Sequence, residues 1–288
     1  MEQDNKNPNQ NKIVQVQNAK TPLTDVNKYI KQKYLKVLII AIAITIILGG
    51  LLFIYTKSLM LIIYPLFALI FFYSFIKQKA EDAFFQQFAS INDFSFQKNG
   101  LPGNLDGSLF FIGHSPAGRD VVSGIFENTP FVIFNYRYII GGGKNSQTYI
   151  YTVFRLDYPS SFPSIFLKSK DCMFGGFLFG DISGKARERI KLEGDFDKHF
   201  DLWAEKGFEI EVLQVFTPDF MSKVEDNWKK FGLEFINNQI YIYSHHMITK
   251  DEELENMYQF IQYLVSEINP LAKEMKGDIN ALNEYYKQ

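Results

Sequence analysis

Cysteine is nearly absent from this chain, with Cys172 as the single example among 288 residues. One thiol excludes any intrachain disulfide and fits a reducing compartment, and nothing beside Cys172 suggests an activated sulfur. Histidine is scarce as well, with four residues, so a histidine-built metal centre is not expected. Charge is missing altogether from Val37–Tyr55 and again from Leu59–Ile76, with only Thr56-Lys57-Ser58 between. At about 1.5 Å per residue the first run reaches roughly 28 Å, close to the hydrocarbon thickness of a bilayer. A buried hairpin in a soluble core is the alternative, but two uncharged runs of this length, back to back, argue for a membrane hairpin. A cleaved signal peptide fits poorly, because its basic region would be thirty-six residues long and no small-residue cleavage site follows the first run.

Lysine sets the orientation. Seven lysines against Glu2, Asp4 and Asp25 precede the first run, Lys77 and Lys79 follow the second, and the connecting turn has Lys57 alone. By the positive-inside rule both termini lie in the cytoplasm, at the inner (cytoplasmic) membrane. Setting aside those residues and Lys57 leaves 22 basic and 29 acidic residues over 77–288. An acidic body argues against nucleic-acid binding, which depends on neutralising phosphates. The expected partners are the bilayer, through residues 37–76, and other membrane proteins.

The sequence predicts an α+β fold, an N-terminal transmembrane helical hairpin followed by a soluble domain with mainly antiparallel sheet and flanking helices. Residues 1–20 read as a disordered polar tail, 21–36 as a basic juxtamembrane helix opened by Thr21-Pro22, 37–76 as the hairpin, with Pro65 a candidate kink, and 77–288 as the cytoplasmic domain, with a possible sub-boundary near 174–188. Ala80, Phe84, Phe88 and Ile91 recur at helical spacing and extend the second span into that domain. Leu109–Ile112, Val121–Phe126, Phe131–Ile140, Thr148–Tyr158 and Ser164–Leu167 read as strands, the middle two joined by the tip Gly141–Gln147. Farther on, Ile190–Leu192 and Phe208–Phe216 read as strands and Phe196–Glu205 as a helix. Thr217-Pro218-Asp219 opens another helix. Asn237-Asn238 reads as a hairpin turn between Leu233–Ile236 and Gln239–Ser244, and Thr249–Glu252 as a capping box for a helix that Asn269-Pro270 interrupts.

Four stretches invite a chemical reading. Gly113-His114-Ser115-Pro116-Ala117 lacks the last glycine of a nucleophile elbow, and Pro116 has no N–H for an oxyanion hole, so a turn is the better reading. Gly141–Ser146 has the composition of a phosphate loop but joins strand to strand, leaving no helix N-terminus to receive a phosphate. Asp195–Asp201 begins like a calcium loop, but Phe200 stands where glycine is needed and Lys206 where a bidentate Glu is needed. His245-His246 closes a strand, which directs the rings to opposite faces and away from a shared metal.

The run Leu192–Asp201, continued by Glu205–Ile210 and Phe216-Thr217-Pro218, resembles the most recognisable segment of a family of bacterial two-span membrane proteins whose cytoplasmic domain has no assigned function. The likeness covers about residues 30–288 and implies no catalytic residue and no cofactor. A non-enzymatic interaction or regulatory module at the membrane face follows as the first expectation. An enzyme with dispersed residues is the alternative, with Glu193, Asp195, Asp197, His199 and Arg119 first to test, and a lipid-sensing domain is a third.

Overall fold

The first apolar run folds as one uninterrupted helix, α1 (Val26–Thr56), which stops where Lys57 turns left-handed at φ 52° and donates its N–H to the Phe53 carbonyl at 2.7 Å. The computed structural model describes residues 25–58, 63–171, 187–192 and 194–285. The polar tail, the Thr21-Pro22 start, Cys172, Glu193 and the glycine-rich stretch near 174–186 lie outside them. Among the described residues α1 is the one helix long and apolar enough to cross a membrane, and only 6% of its apolar window is buried, unlike a core helix. Helix α2 (Ile63–Ile91) packs alongside it and carries the apolar stretch Ile63–Ile76. Pro65 is the third residue of α2 as described.

Beyond Ile76 the same helix changes partners. Ala80, Phe84, Phe85, Phe88 and Ala89 are all buried against the sheet, while Ile91 stays exposed. The foot of α1 is tied down too, with Val26 and Ile30 buried. Val26 donates its N–H to the Thr249 carbonyl at 3.0 Å, and the Asp25 carboxylate accepts from the N–H of Asp251 at 3.0 Å. That last bond takes the place of the expected Thr249–Glu252 capping box, so a carboxylate more than two hundred residues away caps the last helix.

The sheet is antiparallel throughout. Strands β1 (Ser95–Asn99), β2 (His114–Phe126), β3 (Thr129–Ile140) and β4 (Gln147–Ser169) form a meander, with β3 and β4 joined by the Gly141–Ser146 tip. Strand β4 is the spine. Its first half pairs with β3, its second half with β6 (Phe200–Glu205), and both halves pair with β7 (Phe231–Ser244); β5 (Arg187–Ile190) pairs with β6 at the edge. Helices α3 (Phe196–His199), α4 (Glu209–Val215), α5 (Pro218–Asn227) and α6 (Asp251–Tyr285) complete the chain.

Several expectations are corrected. Asn237-Asn238 makes no hairpin turn: Asn237 takes φ 54° within one continuous β7, opposite the irregular stretch Asp157–Phe162 of β4. Thr148–Tyr158 and Ser164–Leu167 are accordingly one bent strand. Phe208–Phe216 holds a helix, Leu109–Ile112 falls on a 3-10 turn (Ser108–Phe111), and Phe196–Glu205 divides into one helical turn and an edge-ward strand. Helix α6 continues through Pro270. Thr217 does cap α5, its hydroxyl oxygen accepting from the Phe220 N–H at 3.2 Å.

Alternation along β3, β4 and β7 gives the sheet two covered faces. Phe131, Ile133, Phe154, Leu156 and Ile242 face the helices, while Tyr136, Tyr138, Tyr151, Tyr241 and Tyr243 form a second core. Leu105, Leu109, Phe110 and Ile112 roof that second core. The roof is pinned by a buried ion pair, Arg187 Nη2 to Glu234 Oε1 at 2.6 Å, with both side chains at most 1% exposed. Glu234 also accepts from the Ser108 N–H at 2.9 Å and the Tyr243 hydroxyl at 2.7 Å, and Arg187 Nε donates to the Ser164 hydroxyl at 2.8 Å. Removing one member of such a pair strands the other in a dry site, at a cost of about 3–5 kcal/mol. Arg187→Ala is therefore expected to destabilise the full chain by about that much, and adding Glu234→Gln to recover part of it, since the amide is neutral but still accepts. Thermal unfolding in mild detergent checks this; equal midpoints for Arg187→Ala and the native chain would contradict it.

Candidate functional site

The helix-covered face of the sheet is apolar along most of its length and turns polar at one end. On β3 the inward series runs Phe131, Ile133, Asn135, Arg137, and on β4 it runs Leu156, Phe154, Thr152, Ile150. The pairing aligns these residues in rows. Asn99, Arg119, Asn135 and Thr152 stand opposite one another across β1 to β4, and Ala117, Arg137 and Ile150 form the next row out. Helix α2 walls this end with Gln78, leaving a cleft of about 300 Å³ bounded by Gln78, Asn99, Arg119, Asn135, Arg137 and Ile150.

A bulge in β2 shapes the floor. Between Arg119 and Val122 the register against β3 slips, and Asp120 takes the left-handed region at φ 54°. Strain of this kind persists only where the surroundings hold it, and bulges re-aim the side chains beside them. The Asp120 side chain is fully buried. Its Oδ2 accepts from the Asn135 amide at 3.0 Å and lies 3.4 Å from Arg119 Nε, while Oδ1 has no partner among the described residues. Asn135 in turn accepts from the Thr152 hydroxyl at 2.7 Å, and Thr152 accepts from the Ile248 N–H at 2.8 Å. Arg119 is held on its other side by Glu81 of α2, at 2.5 Å. Arg137 is exposed. It makes no ion pair or hydrogen bond among the described residues.

Of the described residues singled out from sequence, Arg119 alone belongs to this cleft. Asp195 is on the surface, its side chain 70% exposed and paired with Lys198 at 2.6 Å, which holds its carboxyl below the usual range. Asp197 lies 3.4 Å from Arg189, and His199 sits between Asp171 at 3.1 Å and Glu225 at 3.6 Å. Strands β3 and β4 separate β2 from β6, about 14 Å at strand spacing, so Arg119 and His199 do not meet. The histidine pair is a correction. His245 and His246 lie past the end of β7, their rings 4.2 Å apart and in contact, with His246 Nε2 3.0 Å from Glu253. Among the described residues no three His, Cys, Asp or Glu side chains gather as a metal site. Sequence reasoning missed Asn135, Arg137 and Asp120, since each looks like an ordinary strand residue until the register is known.

No protein-family model and no curated protein sequence matches the chain. In fold the chain is similar to the crystal structure of the mycobacterial trehalose monomycolate transport factor A, TtfA, at 11% identity and a TM-score of 0.47, over 65% of this chain and 95% of that one. At that level the likeness carries no argument about ligand or activity.

Burial pushes the Asp120 carboxyl from 3.8 up to about 6, with Asp82 adding to the rise and Arg119 and Asn135 opposing it. The folded state therefore binds more protons than the unfolded one between about pH 4 and pH 6, and Asp120 removes stability as pH rises through that window. The effect is on the order of 3 kcal/mol by pH 7. Asp120→Asn is expected to gain stability relative to the native chain on going from pH 4.5 to pH 7, as read by unfolding midpoints at the two pH values. Parallel midpoints would show that Asp120 does not titrate in this way.

Proposed function

We propose that the chain is a non-enzymatic interaction module fixed rigidly to the cytoplasmic face of the inner membrane by a two-helix transmembrane hairpin. The observation that carries this reading is the continuity of α2. The helix is bare and apolar over Ile63–Phe75, with Phe71 75% exposed, and core-packed from Ile76 on, with Phe85 and Phe88 fully buried. Such a helix suits lipid on its first half and protein on its second. The foot of α1 is bonded to the start of α6, so the domain is mounted at two points instead of swinging on a linker. A body held this way meets membrane partners at high effective concentration and in one orientation. Membership of the two-span family described above, and the division at residues 36, 76 and 77, belong to the same proposal.

The test is cell fractionation of the full chain with a reporter fused after Gln288. The expected result is recovery in the membrane pellet, release by detergent but not by high salt, and a reporter active only in the cytoplasm. Recovery in the supernatant without detergent, or a reporter active on the outer side, would overturn the reading.

A further inference from the structure

We infer that the cleft between α2 and the polar end of the sheet binds an anionic phosphate group, with Arg137 as its principal contact; this rests on the membrane mounting proposed above. Three observations converge. Among the described residues the charges around the cleft are matched with one exception: Glu81 and Asp120 hold Arg119, and Asp82 holds Lys98 at 2.7 Å, while Arg137 is left over. Beside Arg119 and Arg137 the lining has the neutral side-chain amides of Gln78 and Asn99, whose N–H groups can donate to phosphate oxygens. At about 300 Å³ the cleft sits at the lower end of ligand sites, with room for a phosphate and part of what carries it.

The third observation is depth. Gln78 follows Ile76, the last residue of the apolar run, by about 3 Å of helical rise. Lys77 and Lys79 flank it. A cleft at that height opens at the level of lipid headgroups, whose layer is several ångströms thick on each side of the hydrocarbon. A lipid headgroup and a free phosphate share the chemistry recognised here, and the height of the cleft favours the headgroup. Arg137 stands on the paired part of β3, opposite Ile150 and Ala117, so its backbone is already fixed before binding.

The full chain in mild non-ionic detergent tests this by native mass spectrometry with added phosphatidylglycerol or phosphatidylcholine, and by calorimetric titration with inorganic phosphate. Phosphatidylglycerol is expected to be retained in preference to phosphatidylcholine, with retention falling at least about fivefold in Arg137→Ala, partly restored in Arg137→Lys, and unchanged in Lys206→Ala, which follows strand β6 and pairs with Glu188. Arg137-dependent binding of inorganic phosphate without phosphatidylglycerol retention would support the site with the free ion as its ligand. Equal phosphatidylglycerol retention by Arg137→Ala and the native chain, with no Arg137-dependent phosphate binding, would overturn it. The readout is taken in detergent, so this failure leaves the fractionation result standing, and a failed fractionation leaves this readout interpretable.

Discussion

Everything in this architecture depends on one helix, α2, that is bare along its first half and packed along its second. Residues Ile63–Phe75 of α2 are nearly bare and Ala80–Ala89 are packed, with no break between them. The first half has no hydrophobic reason to fold against the domain, and the second has no stability away from the sheet, since a lone amphipathic turn in water is marginal. The sheet face that receives Phe84, Phe85 and Phe88 therefore fixes where the apolar half points. The Asp25 cap on α6 does the same for α1. Together they remove the freedom that a flexible tether would leave.

Two-sided burial follows from that mounting. With α2 and α6 on one face, the other face would expose a row of tyrosines and the apolar side chains among them, a patch that monomeric proteins rarely leave open. The roof from Asn104 to Ile112 closes it, and the means are polar. Arg155 donates to the Gly103 carbonyl at 2.6 Å, Gln239 to the Asn104 carbonyl at 2.7 Å, and Ser108 is held by Glu234. Gly107 lets the roof approach closely, since a Cβ there would lie 2.4 Å from the Tyr243 hydroxyl. The buried Arg187–Glu234 pair is thus better understood as a registry device, selecting one seating of the roof, than as a source of net stability.

How much of this was legible in the sequence depended on the range of the signal. The first apolar run, three members of the stripe (Ala80, Phe84 and Phe88, but not the exposed Ile91) and the Thr217-Pro218 cap are local, and each appears in the structure. The β2–β3–β4 meander was legible for the same reason. Asn237-Asn238 misled because a left-handed Asn serves a bulge as well as a turn, and only the long partner β4 decides which. Phe208–Phe216 alternates like a strand, yet Ile210 at 73% and Leu213 at 55% exposure show a short surface helix burying only Val212. The capping box at Thr249 was displaced by Asp25, a partner no local pattern announces. His245-His246 was misjudged by two residues of strand end.

The cleft was illegible for a deeper reason. Its rows take one residue from each of three or four strands, and the β2 bulge shifts the side-chain phase so that Arg119 and Val122, three apart, share a face. Reading β2 with strict period two puts Arg119 on the same side as Val121, against the tyrosines, and no site assembles. One left-handed residue, Asp120, thus decides whether the helix-covered face ends in apolar side chains or in Arg119 and Asn135. A polar end on a covered face is costly unless its groups are paired, and the Asp120–Asn135–Thr152 chain pairs nearly all of them. Among the described residues, the unpartnered Oδ1 of Asp120 and the unmatched Arg137 are what remain at this end of the sheet. Polar groups left over in an otherwise satisfied network mark the place where packing alone does not account for the residues present.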